Sequence, residues 1–194
     1  MKLLSARQAI HDAYAIHLTG KSYGIDPREF WERGQGKVPN INQLICNAAE
    51  AGMIISTVEG LDEPYKSWAK WAYGPRTEHH LPDQGRFFEW LDRDVRENLE
   101  SIERKYREVT KEKIRDVVAY AVLDYRAFVI NEIHLYPVSL IINRCNIQRQ
   151  NWKRDFEPWH EYYWQFCDQQ LDRMALVPVA NSVQRLKYGK EQTD

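Results

Sequence analysis

A chain of 194 residues has room for one sizeable core or two small domains. Its formal net charge of −1 excludes the global basic field of a protein that coats nucleic acid regardless of sequence. Its three cysteines, Cys46, Cys145 and Cys167, form no CxxC pair, which argues against a zinc ribbon or a disulfide framework. Buried free thiols, no metal and no cofactor are expected.

No apolar run approaches the ~18 residues of a membrane span, and the opening MKLLSARQAIHDAY meets charge too early for a signal peptide. A soluble cytoplasmic protein with no membrane partner is expected. Residues 1–84 carry nine positive and ten negative side chains, whereas 137–190 carry eight positive and five negative. Any nucleic-acid contact should therefore be a local patch towards the C-terminal end.

In chain order, Ser5 can cap a first helix reaching about His17, with Ala9, Ile10, Ala13, Tyr14 and Ile16 as its apolar side. Glycines and prolines punctuate residues 18–40, where a turn of helix is expected at Pro27–Arg33. Asn40 opens a second helix to about Ala51, ended by Gly52. Pro64–Tyr73 is a short amphipathic segment with Trp68, Trp71 and Ala72 on one side, stopped by Gly74-Pro75. Asp83 stands four residues after His79 and three after His80, but adjacent histidines seldom bite one metal together and the set matches no recognisable metal motif.

A charged helix is expected over Gly85–Val109, its apolar side formed by Phe88, Leu91, Val95, Leu99, Ile102 and Tyr106. Thr110 caps the most regular helix, on which Ile114, Val117, Val118, Ala121, Val122, Tyr125, Phe128 and Val129 keep the helical period. Pro137 restarts the chain, Pro158 allows a bend before a helix over Trp159–Leu176, and Pro178 opens a last helix. Trp68, Trp71, Trp159, Tyr162 and Trp164 cannot all be buried on one stripe, which leaves aromatic anchors for a protein partner. The expected fold is all-α, a helical bundle, with an N-terminal helical region over 1–84 and a second domain over 85–194.

Within that second domain, Val138–Phe156, VSLIINRCNIQRQNWKRDF, has the pattern of a helix-turn-helix. Ile141 and Cys145 share a face, Asn146 is at ease in a left-handed turn, and Ile147 and Trp152 complete a small apolar plug. Arg144, Gln148, Arg149, Gln150, Lys153 and Arg154 remain for solvent, residue types that bind phosphates and base edges in a major groove. Arg144 to Arg154 holds four positive charges and no negative one. Against the pattern, Ile142 is bulky where a small residue often sits, and Asp155 and Glu157 bring negative charge to the end of the face.

Three stretches also carry a family likeness: KYREV at 105–109, leading into AYAVLDYRAF at 119–128; NIQRQNWKRDFEPWHEYY at 146–163; and the tail through Cys167 to Val183. Together they resemble the lambda-type phage late-gene antitermination protein Q over less than half of the chain. That family carries a zinc-binding insertion with two cysteine pairs between these helices. Here Asn131 runs almost directly into Pro137, and both pairs are absent.

The resemblance implies a factor that binds double-stranded DNA at a late promoter and engages the bacterial RNA polymerase holoenzyme, associated with the host nucleoid. Such a factor lets polymerase read through terminators and does no chemistry itself. The residues alone also fit a DNA-binding regulator without antitermination activity, or a helical scaffold or adaptor. An enzyme built on His79 and His80 with Glu78 or Asp83 is not expected, because no nucleophile–base set or phosphate loop accompanies them.

Overall fold

The computed structural model describes the backbone of residues 2–19, 41–76 and 81–191, and the side chains of 6–17, 48–76 and 81–186. The helical turn expected at Pro27–Arg33, the Asn40 cap, the Cys46 side chain and the His79–His80 pair lie outside the described residues. The fold is all-α, with no strand among the described residues.

The chain divides into two compact units. The first comprises residues 1–83 and 174–194. It contains α1 (Lys2–Thr19), α2 (Ile41–Glu59), α3 (Tyr65–Tyr73) and nearly all of α9 (Arg173–Glu191). Ala6, Ile10, Ala13 and Tyr14 recur at three- and four-residue steps and are buried. They pack with Ile54 and Val58 of α2 and with Trp68 and Trp71 of α3 in the unit's core. Where sequence grouping puts 174–194 with the preceding helices, Cα packing joins them to this unit, and the Thr57 and Ser182 hydroxyls bond at 3.0 Å.

α2 runs through Gly52, contrary to expectation, because Ile54 and Val58 extend its apolar face by two further turns. Gly52 itself is exposed, and the helix ends just before Gly60. Pro178 likewise lies inside α9 rather than opening it. Ala175, Leu176, Val179 and Ala180 are buried around it, and that packing outweighs the one backbone donor that proline lacks.

The second unit is 84–173. Its first long helix, α4, spans Leu81–Ser101 and buries Phe87, Leu91, Val95 and Leu99 at strict four-residue steps. It stops short of the expected Val109, so Ile102 and Tyr106 leave the helical stripe. α5 (Glu108–Asn131) starts after the extended Arg107, not at Thr110. The Thr110 and Lys111 amides donate to the Arg107 carbonyl at 2.8 and 3.0 Å.

α5 packs on α8 (Glu157–Phe166), where the Tyr125 and Phe128 rings meet Trp164 with centroids 5.3 and 5.9 Å apart. Tyr163 donates to Asp94 at 2.7 Å and accepts from Asn98 at 3.1 Å, so its buried hydroxyl is satisfied. A π-turn, Cys167–Asp172, interrupts the helix expected to run straight to Leu176.

Candidate nucleic-acid interface

The segment from Pro137 onward is built by one local device. α6 (Val138–Arg144) ends with Asn146 in the left-handed region at φ 48°. The Ile147 amide donates to the Ile142 carbonyl at 2.9 Å, and the Asn146 amide to the Asn143 carbonyl at 3.2 Å. This nested pair, closed over a left-handed residue, is a Schellman ending, which commonly brings an apolar contact between the two residues of its outer bond. Those residues are Ile142 and Ile147, both buried. The bulk of Ile142, a departure in the sequence pattern, is what this turn uses. Lys113 of α5 donates to the Asn146 carbonyl and ties the turn down.

Beyond the turn the backbone is helical at once, as α7 (Arg149–Asn151), a π-turn over Trp152–Phe156, and α8. Trp152 is buried, stacked on Phe156 at 6.4 Å and set against His160 at 5.8 Å. Burial holds His160 below the usual histidine range. Ile141, Cys145, Ile147 and Trp152 are thus all buried within the same unit. Burial pushes the Cys145 thiol up to about 11 and Cys167 well above its ordinary value, so both behave as protonated, apolar plugs.

The opposite face is open. Arg144, Gln148, Arg149, Gln150, Lys153 and Arg154 are all exposed, but their freedom differs. The Arg144 guanidinium lies over the Tyr120 and Tyr136 rings, 5.9 and 5.8 Å from their centroids, which fixes its direction. Gln150 donates to Gln148 at 3.2 Å. Arg154 is committed to Asp155 at 2.8 and 3.1 Å and to Asn151 at 3.2 Å. The Arg149 and Lys153 side chains have no hydrogen-bond or ion-pair partner among the described residues.

Asp155 takes up the charge of Arg154 but not that of Arg149 or Lys153. It is buried and paired with both Arg154 and Arg104. The Arg154 hydrogen bonds and the nearby Arg104 charge hold its carboxyl below the usual range against the opposing effect of burial.

Arg104 also donates at 3.2 Å to the Arg154 carbonyl, the acceptor that Pro158 cannot serve in α-helical register. Arg104 and Lys113 are the parts that sequence reasoning missed. For Arg104 the signal was the cluster of cations around Tyr106, which reads as the solvated surface of a helix until the helix is seen to stop at Ser101.

On the other side of α6, the six residues between the helices fold back onto α5. Asp124, buried, bonds His134 Nδ1 at 2.8 Å and accepts from the Tyr136 amide at 2.7 Å. Among the described residues no group of three or more His, Cys, Asp or Glu side chains could hold a metal ion. None of the described helices is long and apolar enough to cross a membrane.

These features define an all-α protein with a basic turn between two helical segments. Residues 51–194 match the family described as Phage antitermination protein Q, and the chain belongs to that family. It is therefore a bacteriophage protein of transcription antitermination, in a family of regulatory factors rather than known enzymes. No curated protein and no solved structure matches the chain.

Proposed function

We propose that this protein recognises a double-stranded DNA element at a late promoter with the face formed by residues 144–154. From there it modifies the bacterial RNA polymerase holoenzyme to read through terminators, acting in the host cytoplasm at the nucleoid. The single observation that carries the DNA assignment is the pair Arg149 and Lys153. They stand one turn apart, exposed and unpaired among the described residues, on a segment whose other side is anchored by Trp152. An unpaired cation on a braced helical segment can meet a base edge or phosphate without first breaking a bond.

The polymerase assignment draws on the family and on surface chemistry. Of the five aromatics that cannot all share one buried stripe, Trp68 and Trp71 are core residues, while Trp159 and Trp164 are half-buried and Tyr162 is exposed. Five exposed apolar side chains, Phe128, Ile130, Ile133, Leu135 and Val138, fall close together in sequence from the end of α5 to the start of α6. Apolar groups concentrated in this way mark protein contacts. Here they lead directly into the helix that carries the DNA-facing turn, so a partner seated on them would share the same DNA.

The DNA assignment is tested by replacing Arg149 or Lys153 with Ala and measuring affinity for a duplex that the full chain enriches from a random-sequence pool. Each change is expected to weaken binding by about 1–3 kcal/mol if the side chain reads a base edge. Unchanged affinity in both variants contradicts the assignment.

A further inference from the structure

The connection between α4 and α5 is the second charged surface of this unit. Apolar spacing favours a continuous helix through residue 106, yet α4 ends at Ser101 and α5 begins only at Glu108. Arg104 fixes the intervening chain, with its guanidinium on Asp155 and on the Arg154 carbonyl. It also lies 5.0 Å from the Tyr106 ring centroid. The connection is thereby pinned beside the last residues of the DNA-facing segment.

Pinning leaves Lys105 and Arg107 exposed, with no side-chain hydrogen bond or ion pair among the described residues. Of the neighbouring acids, Glu108 is held by Lys111 at 2.7 Å, leaving Glu103 as the nearest competing charge in sequence on the connection. Two unpaired cations held next to a nucleic-acid face, but off its reading helix, have the chemistry of backbone clamps rather than base readers.

We infer that Lys105 and Arg107 form a second DNA contact, neutralising duplex phosphates that flank the bases faced by Arg149 and Lys153. The contact rests on the DNA-binding function proposed above. Arg104 acts as a positioning residue: its own charge is spent on Asp155, and it sets where its two neighbours stand. Since phosphate contacts carry no base information, this site should add affinity and salt dependence without altering sequence preference.

The test uses the full chain and the enriched duplex, with fluorescence anisotropy from about 50 to 300 mM salt, a range over which each phosphate neutralised adds about 0.9 to the slope of log affinity against log salt. The double variant Lys105→Gln, Arg107→Gln should lose nearly two units of slope and weaken binding to enriched and scrambled duplexes by the same factor. Arg149→Ala should instead shrink the ratio between them. Thermal melting checks that the exposed, unpartnered side chains are dispensable for folding.

A wild-type slope in the folded double variant overturns the second contact while leaving DNA recognition intact. Failure of the full chain to enrich any duplex removes the function on which the contact rests. A slope change seen with single-stranded RNA but not with the duplex reassigns the cations to a transcript, and also overturns the inference.

Discussion

Trp152 and Asp155 stand three residues apart on one π-turn and hold it by different physics. Trp152 is buried against Phe156 and His160. Trp152→Ala should cost about 3–5 kcal/mol, the range for a large buried aromatic. Denaturant melts check this, and a native midpoint accompanied by lost DNA binding would show a contact role instead. Asp155 works through charge. Its carboxyl titrates lower in the fold than in the unfolded chain, so its contribution is complete above the unfolded value of about 3.9. That contribution drains away as pH falls through the folded value. Asp155→Asn should therefore cost about 1–3 kcal/mol at pH 7, with the deficit shrinking at pH 3; an unchanged deficit there would contradict the pairing. The plug residues were legible in the sequence because apolar period and turn chemistry are local. The burial of Asp155 was not, since its partner Arg104 lies 51 residues away.

At the scale of elements, α2 offers a direct check on why it passes through glycine. A Cβ at Gly52 meets nothing within 4 Å, whereas one at Gly60 presses on the Ser56 carbonyl at 3.3 Å. Gly52→Ala should raise stability by about 0.5–1 kcal/mol through backbone entropy and helix propensity. Gly60→Ala should bring no such gain, and urea midpoints of the two variants decide it. Destabilisation by Gly52→Ala would mean that this stretch is not helical in solution. The same contrast explains which helix ends could be read in advance. Gly74 after α3 and the left-handed Asn146 after α6 end helices by their own chemistry. Ser101 ends α4 with no local stop signal, because Arg104 is drawn to Asp155, and Pro178 fails to start a helix because its neighbours are buried. Tertiary packing overrode propensity in both places.

For the whole molecule, the all-α class was legible from unbroken helical periods and the family from stretches of the second half, and the family match extends back to residue 51. Trp68 and Trp71 serve the core of the first unit, Tyr162 stays in solvent, and five further exposed apolar side chains fall in the stretch from Phe128 to Val138. The central claim, that binding at a promoter element converts polymerase to a terminator-resistant form, is tested most directly by purified transcription. The template should carry the phage late promoter, with an intrinsic terminator downstream. Read-through should rise with the wild-type protein and return to baseline with Arg149→Ala or a scrambled element. Transcription from an unrelated promoter into the same terminator should not change. Repression or simple activation at the late promoter, with termination efficiency unaltered, would contradict it and leave a DNA-binding regulator in its place.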